Sequence, residues 1–145
     1  MVIIIGAGPI GLATGIALKK RDIPFRIIER GCLVNSIFNY PKDMTFFSTS
    51  ERLEIGGVPF ISHGPKPTRR EALEYYRRAA EHHELPVRLY EEVQTIEGSD
   101  GDFTVQTDKD RYEAERSGGG HGFLRRAAHD GRAGRGAAQG KALLR

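Results

Sequence analysis

The stretch VIIIGAGPIGLATGIALKK, residues 2–20, decides the fold of this chain. Val2 to Ile5 is a β-branched run that meets glycine at once, which is typical of a strand buried on both faces of a parallel sheet. From Pro9 to about Arg21, small and apolar residues recur at helical spacing, with proline in the first turn and basic residues in the last. The stretch therefore predicts a strand, a glycine turn and a helix in that order.

A second strand completes a βαβ pattern. It covers Phe25 to Ile28 and is closed by Glu29, which lies 18 residues after Gly11. A carboxylate at this point accepts hydrogen bonds from the adenosine ribose hydroxyls and repels a 2′-phosphate. The pattern therefore predicts an adenine-dinucleotide site that disfavours NADP.

The glycines of GAGPIG, residues 6–11, fit the same site. A bare G-x-G-x-x-G is weak evidence, but this one follows a predicted strand and opens a predicted helix. Gly6 allows the tight turn, Gly8 lets the backbone approach a pyrophosphate, and Gly11 permits close packing of the helix. The phosphates are then expected at the helix N-terminus, where free N–H groups and the helix dipole favour negative charge.

The rest of the chain changes character twice. Residues 31–67 contain prolines, asparagines and glycines that interrupt any long periodicity, so we expect an ordered segment rich in loops. Thr68 and Glu71 form a capping-box signature and predict a helix that reaches His83 and stops before Pro86. Short strands separated by turns then predict a small β-meander. These strands are residues 87–90, 92–97, 103–107 and 112–115.

Composition restricts the class of protein. The chain has 145 residues, of which 39% are hydrophobic, and this suits one globular domain. No run approaches the roughly 20 apolar residues that span a bilayer. Residues 117–145 hold six of the 22 Lys and Arg residues and one of the 19 acidic residues, so the excess positive charge belongs to that segment. We therefore expect a cytoplasmic protein that binds neither nucleic acid nor membrane.

Three further blocks resemble a known family. GAGPIG with Glu29 resembles the first nucleotide site of flavoproteins with two dinucleotide-binding domains, the thioredoxin reductase group among them. VNSIFNYP (34–41), TFFSTSERLEIGGVPF (45–60) and KPTRREALEYYR (66–77) are similar to the YpdA family, bacillithiol disulfide reductases that use FAD and NADPH. The similarity covers residues 1–116. It implies an α/β fold, a Rossmann-like FAD-binding domain with a parallel sheet, a βαβ unit and a small β-meander, here incomplete.

The resemblance also implies which residues bind the cofactor. The segment Asn35–Pro41 would lie along the flavin side, and the backbone at Val93 would meet the adenine. The FAD-binding residues predicted in this way, together with the fingerprint, are Gly6, Ala7, Gly8, Pro9, Ile10, Gly11, Glu29, Arg30, Asn35, Ser36, Tyr40, Pro41 and Val93.

This chain departs from the family pattern in two ways. YpdA proteins typically carry a cysteine, a proposed redox residue, after the fingerprint proline, and that position is Ile10 here. The family also continues through an NADPH domain and returns to complete the FAD domain, whereas no second glycine fingerprint is present here. Cys32 is the single cysteine, which excludes an internal disulfide and a CxxC pair and fits a reducing compartment.

Several other side chains have alternative interpretations. Cys32 is either a packing residue or a redox residue, with packing the more frequent case. Phe46 and Phe47 fit either a flavin contact or the core, and Tyr75 and Tyr76 are expected to pack under their helix.

Histidines and charges of the capped helix suggest no ligand. His82 and His83 lack partners at metal-binding spacing, so we expect them to be solvated and predict no metal site. Arginines interleaved with glutamates predict a salt-bridged solvent face. These residues are Arg69, Arg70, Arg77 and Arg78 with Glu71, Glu74 and Glu81.

Residues 117–145 differ from everything before them. They are rich in Gly, Ala and Arg, and we expect them to be disordered. Ser117–Leu144 can be encoded so that an alternative frame spells A-T-G and V-P-G-E-E-L-P-K, which resemble the continuation of such flavoproteins. We therefore predict a frame shift near Arg116. The partial domain 1–116 should then have an unpaired strand edge, weak stability, poor FAD retention and a tendency to aggregate.

Three functions remain open from the sequence. The first is the FAD-binding part of a pyridine nucleotide-disulfide oxidoreductase that passes electrons from NADPH through FAD to a small disulfide substrate. The second is a fragment similar to a flavin monooxygenase, although the F-x-G-x-x-x-H signature of that class is absent. The third is a nucleotide-binding fragment without catalytic activity.

Overall fold

Three parallel strands form the centre of the fold in the computed structural model, which describes residues 1–99 and 101–114. The strands are β1 (Val2–Ile5), β2 (Phe25–Ile28) and β3 (Val87–Arg88), in the order β1-β2-β3. β1 and β2 pair in parallel from Val2–Phe25 to Ile5–Ile28. Helix α1 (Pro9–Lys19) connects them, and this confirms the predicted βαβ unit. The predictions for residues 115–145 lie outside the described residues.

Helices cover one face of this sheet. α1 and α4 (Arg69–His82) contribute Leu12, Tyr75 and Tyr76 to a core that includes Ile4 and Ile27 of the sheet. Both tyrosines are buried, as the sequence predicted. Alternating strand residues point to opposite faces, so Ile3 and Ile28 are left for a second core on the other side.

The second core lies under an antiparallel meander. Its strands are β4 (Val93–Ser99), β5 (Asp102–Thr107) and β6 (Arg111–Ala114). Phe103, Val105 and Tyr112 of these strands pack with Ile3 and Ile28. The expectation that residues 87–90 form part of the meander is wrong. Val87 and Arg88 pair in parallel with β2, because the chain leaving α4 returns beside that strand.

The segment between the second strand and α4 is rich in loops, as predicted. It contains two helices of four residues each, α2 (Asn35–Phe38) and α3 (Ser50–Leu53). The hydroxyl of Tyr76 donates to Leu53 O at 3.0 Å, and the hydroxyl of Tyr75 donates to Val58 O at 2.7 Å. Burial raises the pKa of Tyr76 to about 12, so this phenol remains a donor over the whole physiological range.

Two residues at the ends of α4, Arg69 at its start and His83 directly after it, do not follow the expected solvated pattern. His82 is exposed, but the His83 ring packs against Gly56, and its Nε2 atom is buried. Burial is the main cause that lowers the pKa of His83. Arg69 turns away from the glutamates and donates to the Phe38 carbonyl. Two of the predicted ion pairs are present, Arg77–Glu81 and Arg78–Glu74, whereas Glu71 bonds to Thr68 and His63 instead.

The predicted capping box at the start of α4 is present and extends to a neighbouring loop. Glu71 Oε2 accepts from the Thr68 N–H at 2.8 Å, while Thr68 Oγ1 accepts from the Glu71 N–H at 3.3 Å. Glu71 Oε1 accepts from the His63 N–H at 2.8 Å. The hydrogen bonds that the Glu71 carboxylate accepts lower its pKa to about 2, and the bond from the Thr68 N–H has the largest effect.

Glu71 should therefore stabilise the fold in a pH-dependent way. Its pKa is lowered in the folded state, so the stabilisation is complete above its ordinary value of 4.5 and is lost as the pH falls through about 2. We expect Glu71→Gln to lower the free energy of unfolding at pH 6 by about 1 kcal/mol, the usual contribution of a cap. Denaturant titrations should show this difference shrinking as the pH is lowered from 4.5.

Glu74→Gln is the matched control. Glu74 lies on the same helix and pairs with Arg78 at an exposed position, where ion pairs contribute little to stability. A Glu74→Gln effect as large as that of Glu71→Gln, or a Glu71→Gln effect that does not change with pH, would contradict the prediction.

Candidate dinucleotide-binding site

The predicted glycine loop and Glu29 meet at one edge of the parallel sheet. β1 ends at Ile5 and β2 ends at Ile28, so the segments that follow both strands leave the sheet at its carboxyl edge. The Gly6 N–H donates to Ile28 O at 2.8 Å and joins the two segments directly. Ligands of open α/β sheets bind at this edge.

The three glycines of the fingerprint have different structural roles. Gly6 has φ of +98°, a value that side chains rarely adopt, and it turns the chain out of β1. A Cβ atom on Gly11 would lie 2.0 Å from Gly6 O, so this glycine lets α1 approach the strand. Among the described residues, nothing lies within 4 Å of a Cβ atom placed on Gly8. In that part of the chain Gly8 therefore borders open space, as its predicted role beside a pyrophosphate requires.

The N-terminus of α1 faces this open space with unused donors. Gly8 is the N-cap residue, and no side chain of residues 1–99 or 101–114 caps the helix. The first intrahelical bond is donated by Leu12 to Gly8 O at 2.9 Å, and within the same residues the N–H groups of Ile10 and Gly11 have no acceptor one turn back. The first turn carries no acidic residue. This end of α1 is therefore suited to an anion such as a phosphate.

Glu29 is held in place by backbone donors. Its side chain is largely buried, with 8% of the residue exposed. Oε2 accepts from the Ala7 N–H at 2.9 Å, and Oε1 accepts from the Gly31 N–H at 2.9 Å. Each carboxylate oxygen has two lone pairs, so each can accept a further hydrogen bond. The carboxylate is thus oriented beside the glycine loop with capacity for ribose hydroxyls.

Ala7 connects the loop to the predicted flavin-side segment. Its carbonyl accepts from the Val34 N–H at 3.0 Å. Val34 has φ of +47° and is buried, which for a β-branched residue costs on the order of 1–3 kcal/mol. Asn35 follows as the first residue of α2, with its Oδ1 3.5 Å from Cys32 Sγ. Sequence reasoning missed Val34, since β-branched residues give no signal for this conformation.

The other predicted site residues lie around this centre at different depths. Ile10 is 57% exposed at the N-terminus of α1. Val93 begins β4 and is half-buried. The exposed members are Arg30, Ser36, Tyr40 and Pro41. The structure thus brings together Gly6–Gly11, Glu29 and Asn35, while Tyr40 and Pro41 lie beyond α2.

A second buried carboxylate, Glu91, was also missed. It is 4% exposed, and its Oε1 accepts from Thr107 Oγ1 and from the Tyr112 hydroxyl, both at 2.8 Å. Its N–H donates to Glu29 O at 2.9 Å. In the sequence it is one of two adjacent glutamates, Glu91 and Glu92, and nothing distinguishes the buried one from the exposed one.

The structure bears on the alternatives left open for Phe46, Phe47 and Cys32. Phe46 packs against the helical core, whereas Phe47 is 96% exposed. Cys32 is half-buried and lines an open groove beside Leu73 of α4. Among residues 1–99 and 101–114, no group of three or more potential metal ligands occurs. No helix in that part of the chain is long and apolar enough to cross a membrane.

The fold is Rossmann-like. Three of its features are typical of dinucleotide sites in this class: a glycine loop after a buried strand, an uncapped helix N-terminus and an oriented acid after the next strand. The family model for pyridine nucleotide-disulphide oxidoreductases matches residues 3–125. The chain belongs to this family.

Comparisons with individual proteins confirm the resemblance predicted from residues 34–77. The chain is 57% identical over 75 residues to bacilliredoxin reductase Bdr of Bacillus subtilis. The aligned stretch is 52% of this chain and 23% of that protein. The structure of bacillithiol disulfide reductase Bdr (YpdA) from Staphylococcus aureus matches with a TM-score of 0.75 and 50% identity, over 77% of this chain and 35% of that one. These relatives are oxidoreductases, and the chain spans about a quarter to a third of their length.

A monooxygenase is similar at greater distance. A flavin-containing monooxygenase from Stenotrophomonas maltophilia matches with a TM-score of 0.73 but 25% identity, over 78% of this chain and 35% of that one. The reductase and the monooxygenase have almost the same TM-score with this chain. They differ in sequence identity, which is 50% for the reductase and 25% for the monooxygenase.

The different environments of Gly8 and Gly11 lead to a prediction for stability. Gly11→Ala forces a methyl group against Gly6 O and should lower the free energy of unfolding by about 1–3 kcal/mol, as overpacking does. Gly8→Ala is the control, because its φ of −75° suits alanine and its surroundings are open. Thermal and urea denaturation measure both variants. Equal losses in the two variants would contradict the assignment.

Proposed function

We propose that this chain binds FAD as the cofactor-binding part of an NADPH-dependent disulfide oxidoreductase. The observation that carries the proposal is the Glu29 carboxylate, fixed by the Ala7 and Gly31 N–H groups beside the open face of Gly8. An oriented acid next to a free helix N-terminus fits the ribose and pyrophosphate of an adenine dinucleotide.

The residues of the site divide between the two ends of FAD. Gly8, Ile10 and Gly11 would hold the pyrophosphate, Glu29 the adenosine ribose, and Val93 the adenine through its backbone. The flavin side would lie along Asn35–Pro41, with Ser36 and Tyr40 exposed there. Arg30, exposed directly after Glu29, would add a positive charge near the adenosine. When bound, FAD supplies the hydride and electron chemistry, while the protein supplies position and electrostatics.

NADPH is proposed to bind elsewhere in the complete enzyme. A 2′-phosphate on the adenosine ribose would meet the Glu29 carboxylate, and like charges in such contact cost several kcal/mol. The nicotinamide nucleotide would therefore use a second site, outside these residues. The substrate class follows two of the similar proteins, which are named for bacilliredoxin and for bacillithiol disulfide. We therefore propose a low-molecular-weight thiol disulfide, or a protein disulfide formed with it, as the electron acceptor.

Binding of ADP tests the adenosine half of the site. The full chain should bind ADP at least about tenfold more tightly than 2′-phospho-ADP because of the Glu29 charge. Gly8→Ala should weaken ADP binding about tenfold or more without loss of stability. The added methyl group would keep the pyrophosphate away from the backbone N–H groups, and hydrogen bonds to a charged group contribute about 1.5–3 kcal/mol. Titration calorimetry measures the affinities, and circular dichroism checks the fold. Preference for 2′-phospho-ADP would overturn the proposed role of Glu29.

A chimera tests the activity of the complete enzyme. Residues 1–114 of this chain would replace the corresponding segment of the Staphylococcus aureus relative, which is 50% identical in structure-based alignment. We expect a yellow protein that oxidises NADPH when bacillithiol disulfide is added. A chimera that binds FAD but consumes NADPH only with oxygen would favour the monooxygenase alternative. A folded chimera without flavin would reject the FAD assignment.

A further inference from the structure

Arg69 occupies an unusual position at the start of α4. It is the first residue of that helix, where a positive charge opposes the helix dipole. It does not pair with any of the glutamates on the helix face; the guanidinium donates from Nε and Nη2 to Phe38 O, at 3.2 and 2.5 Å, and from Nε to Ile37 O at 3.2 Å. Its Cζ lies 5.4 Å from the centre of the Phe38 ring. The guanidinium group of Arg69 thus binds the last turn of α2.

The backbone of the same residue holds a second point of the chain. The Arg69 N–H donates to Met44 O at 2.8 Å. Thr45 and Thr68 form an antiparallel bridge beside it, and the Phe46 N–H donates to Pro67 O at 2.9 Å. A single residue of α4 therefore fixes both ends of residues 38–44, one with its side chain and the other with its main chain.

The residues between these two points have mainly local contacts. The Tyr40 N–H donates to Ile37 O, and the Met44 N–H donates to Pro41 O, both at 3.1 Å. The Tyr40 ring meets Phe46 edge to face at 6.3 Å, and residues 39–43 are exposed. Local turns of this kind set the shape of a loop but do not place it relative to the rest of the protein. Its placement depends on the contacts at its two ends, and the Arg69 side chain provides hydrogen bonds at the Phe38 end.

We propose that Arg69 is a positioning residue for the flavin end of the site. The proposal rests on the proposed function, in which Asn35–Pro41 lies along the flavin. Arg69 is more than an ordinary structural arginine in this scheme, because its loss should affect the flavin end and leave the adenosine end intact. The adenosine end is held by Glu29, Ala7 and Gly31, none of which Arg69 touches.

The test compares FAD with ADP on the full chain. If Arg69→Met reduces the binding-competent population of the segment to about one tenth, the Kd for FAD rises about tenfold. The Kd for ADP should change less than about twofold, because the Arg69 side chain bonds to Ile37 and Phe38 and not to Glu29 or the donors that hold it. Arg69→Lys should also weaken FAD binding, since one ammonium group cannot reproduce the planar fork that reaches two carbonyls. Arg70→Met is the matched control, with the same charge removed from the next, exposed position.

Hydrogen exchange gives a readout that needs no cofactor. In Arg69→Met, the amides of residues 37–44 should lose protection, while those of β1 and α1, and the Phe46 amide bonded to Pro67 O, should keep it. Unchanged exchange in this segment, or equal losses of FAD and ADP affinity, would overturn the role of Arg69. A wild-type chain that binds FAD no more tightly than ADP would overturn the FAD assignment and the positioning role together. A wild-type preference for FAD that survives in Arg69→Met would overturn the positioning role alone.

Discussion

The geometry of the site depends on the hydrogen bonds that the Glu29 carboxylate accepts. A buried carboxylate is costly unless hydrogen bonds satisfy it, and here two main-chain donors, Ala7 and Gly31, do so. These bonds fasten the glycine loop to the end of β2 without any ligand. The loop is also joined to that strand through the Gly6 N–H and Ile28 O. A ligand therefore meets an acid and a turn that are already in place, which reduces the ordering cost of binding.

The same residue links the site to the rest of the fold through its backbone. The Glu29 N–H donates to Arg88 O at 2.8 Å, and its carbonyl accepts from Glu91. The Glu91 side chain in turn holds Thr107 and Tyr112 of the meander. Burial, followed by the hydrogen bond to Glu91, raises the pKa of Tyr112, so its hydroxyl stays a donor. Two buried acids thus place the meander, and Val93 with it, relative to the glycine loop.

Local sequence signals predicted the parts of the fold whose causes are local. The β-branched run, the fingerprint and the capping box of Thr68 and Glu71 each depend on residues within a few positions of one another, and all three are present. Contacts between distant residues were not predictable in this way. Arg69 reaches a carbonyl 31 positions away, and His83 packs on Gly56. Both looked like solvent-facing helix residues because periodicity describes one helix and not its neighbours. The assignment of Val87 and Arg88 to the meander failed for the same reason.

Ile10 shows which part of the chemistry this chain can supply itself. It lies at the N-terminus of α1, where the helix dipole would lower the pKa of a thiol and make it reactive. An exposed isoleucine there has no group to ionise, so the positive end of the dipole remains available for phosphate. Cys32 is the single cysteine, and it is half-buried with its Sγ 3.5 Å from Asn35 Oδ1. Position 10 of this chain therefore offers a place for a phosphate and no thiol.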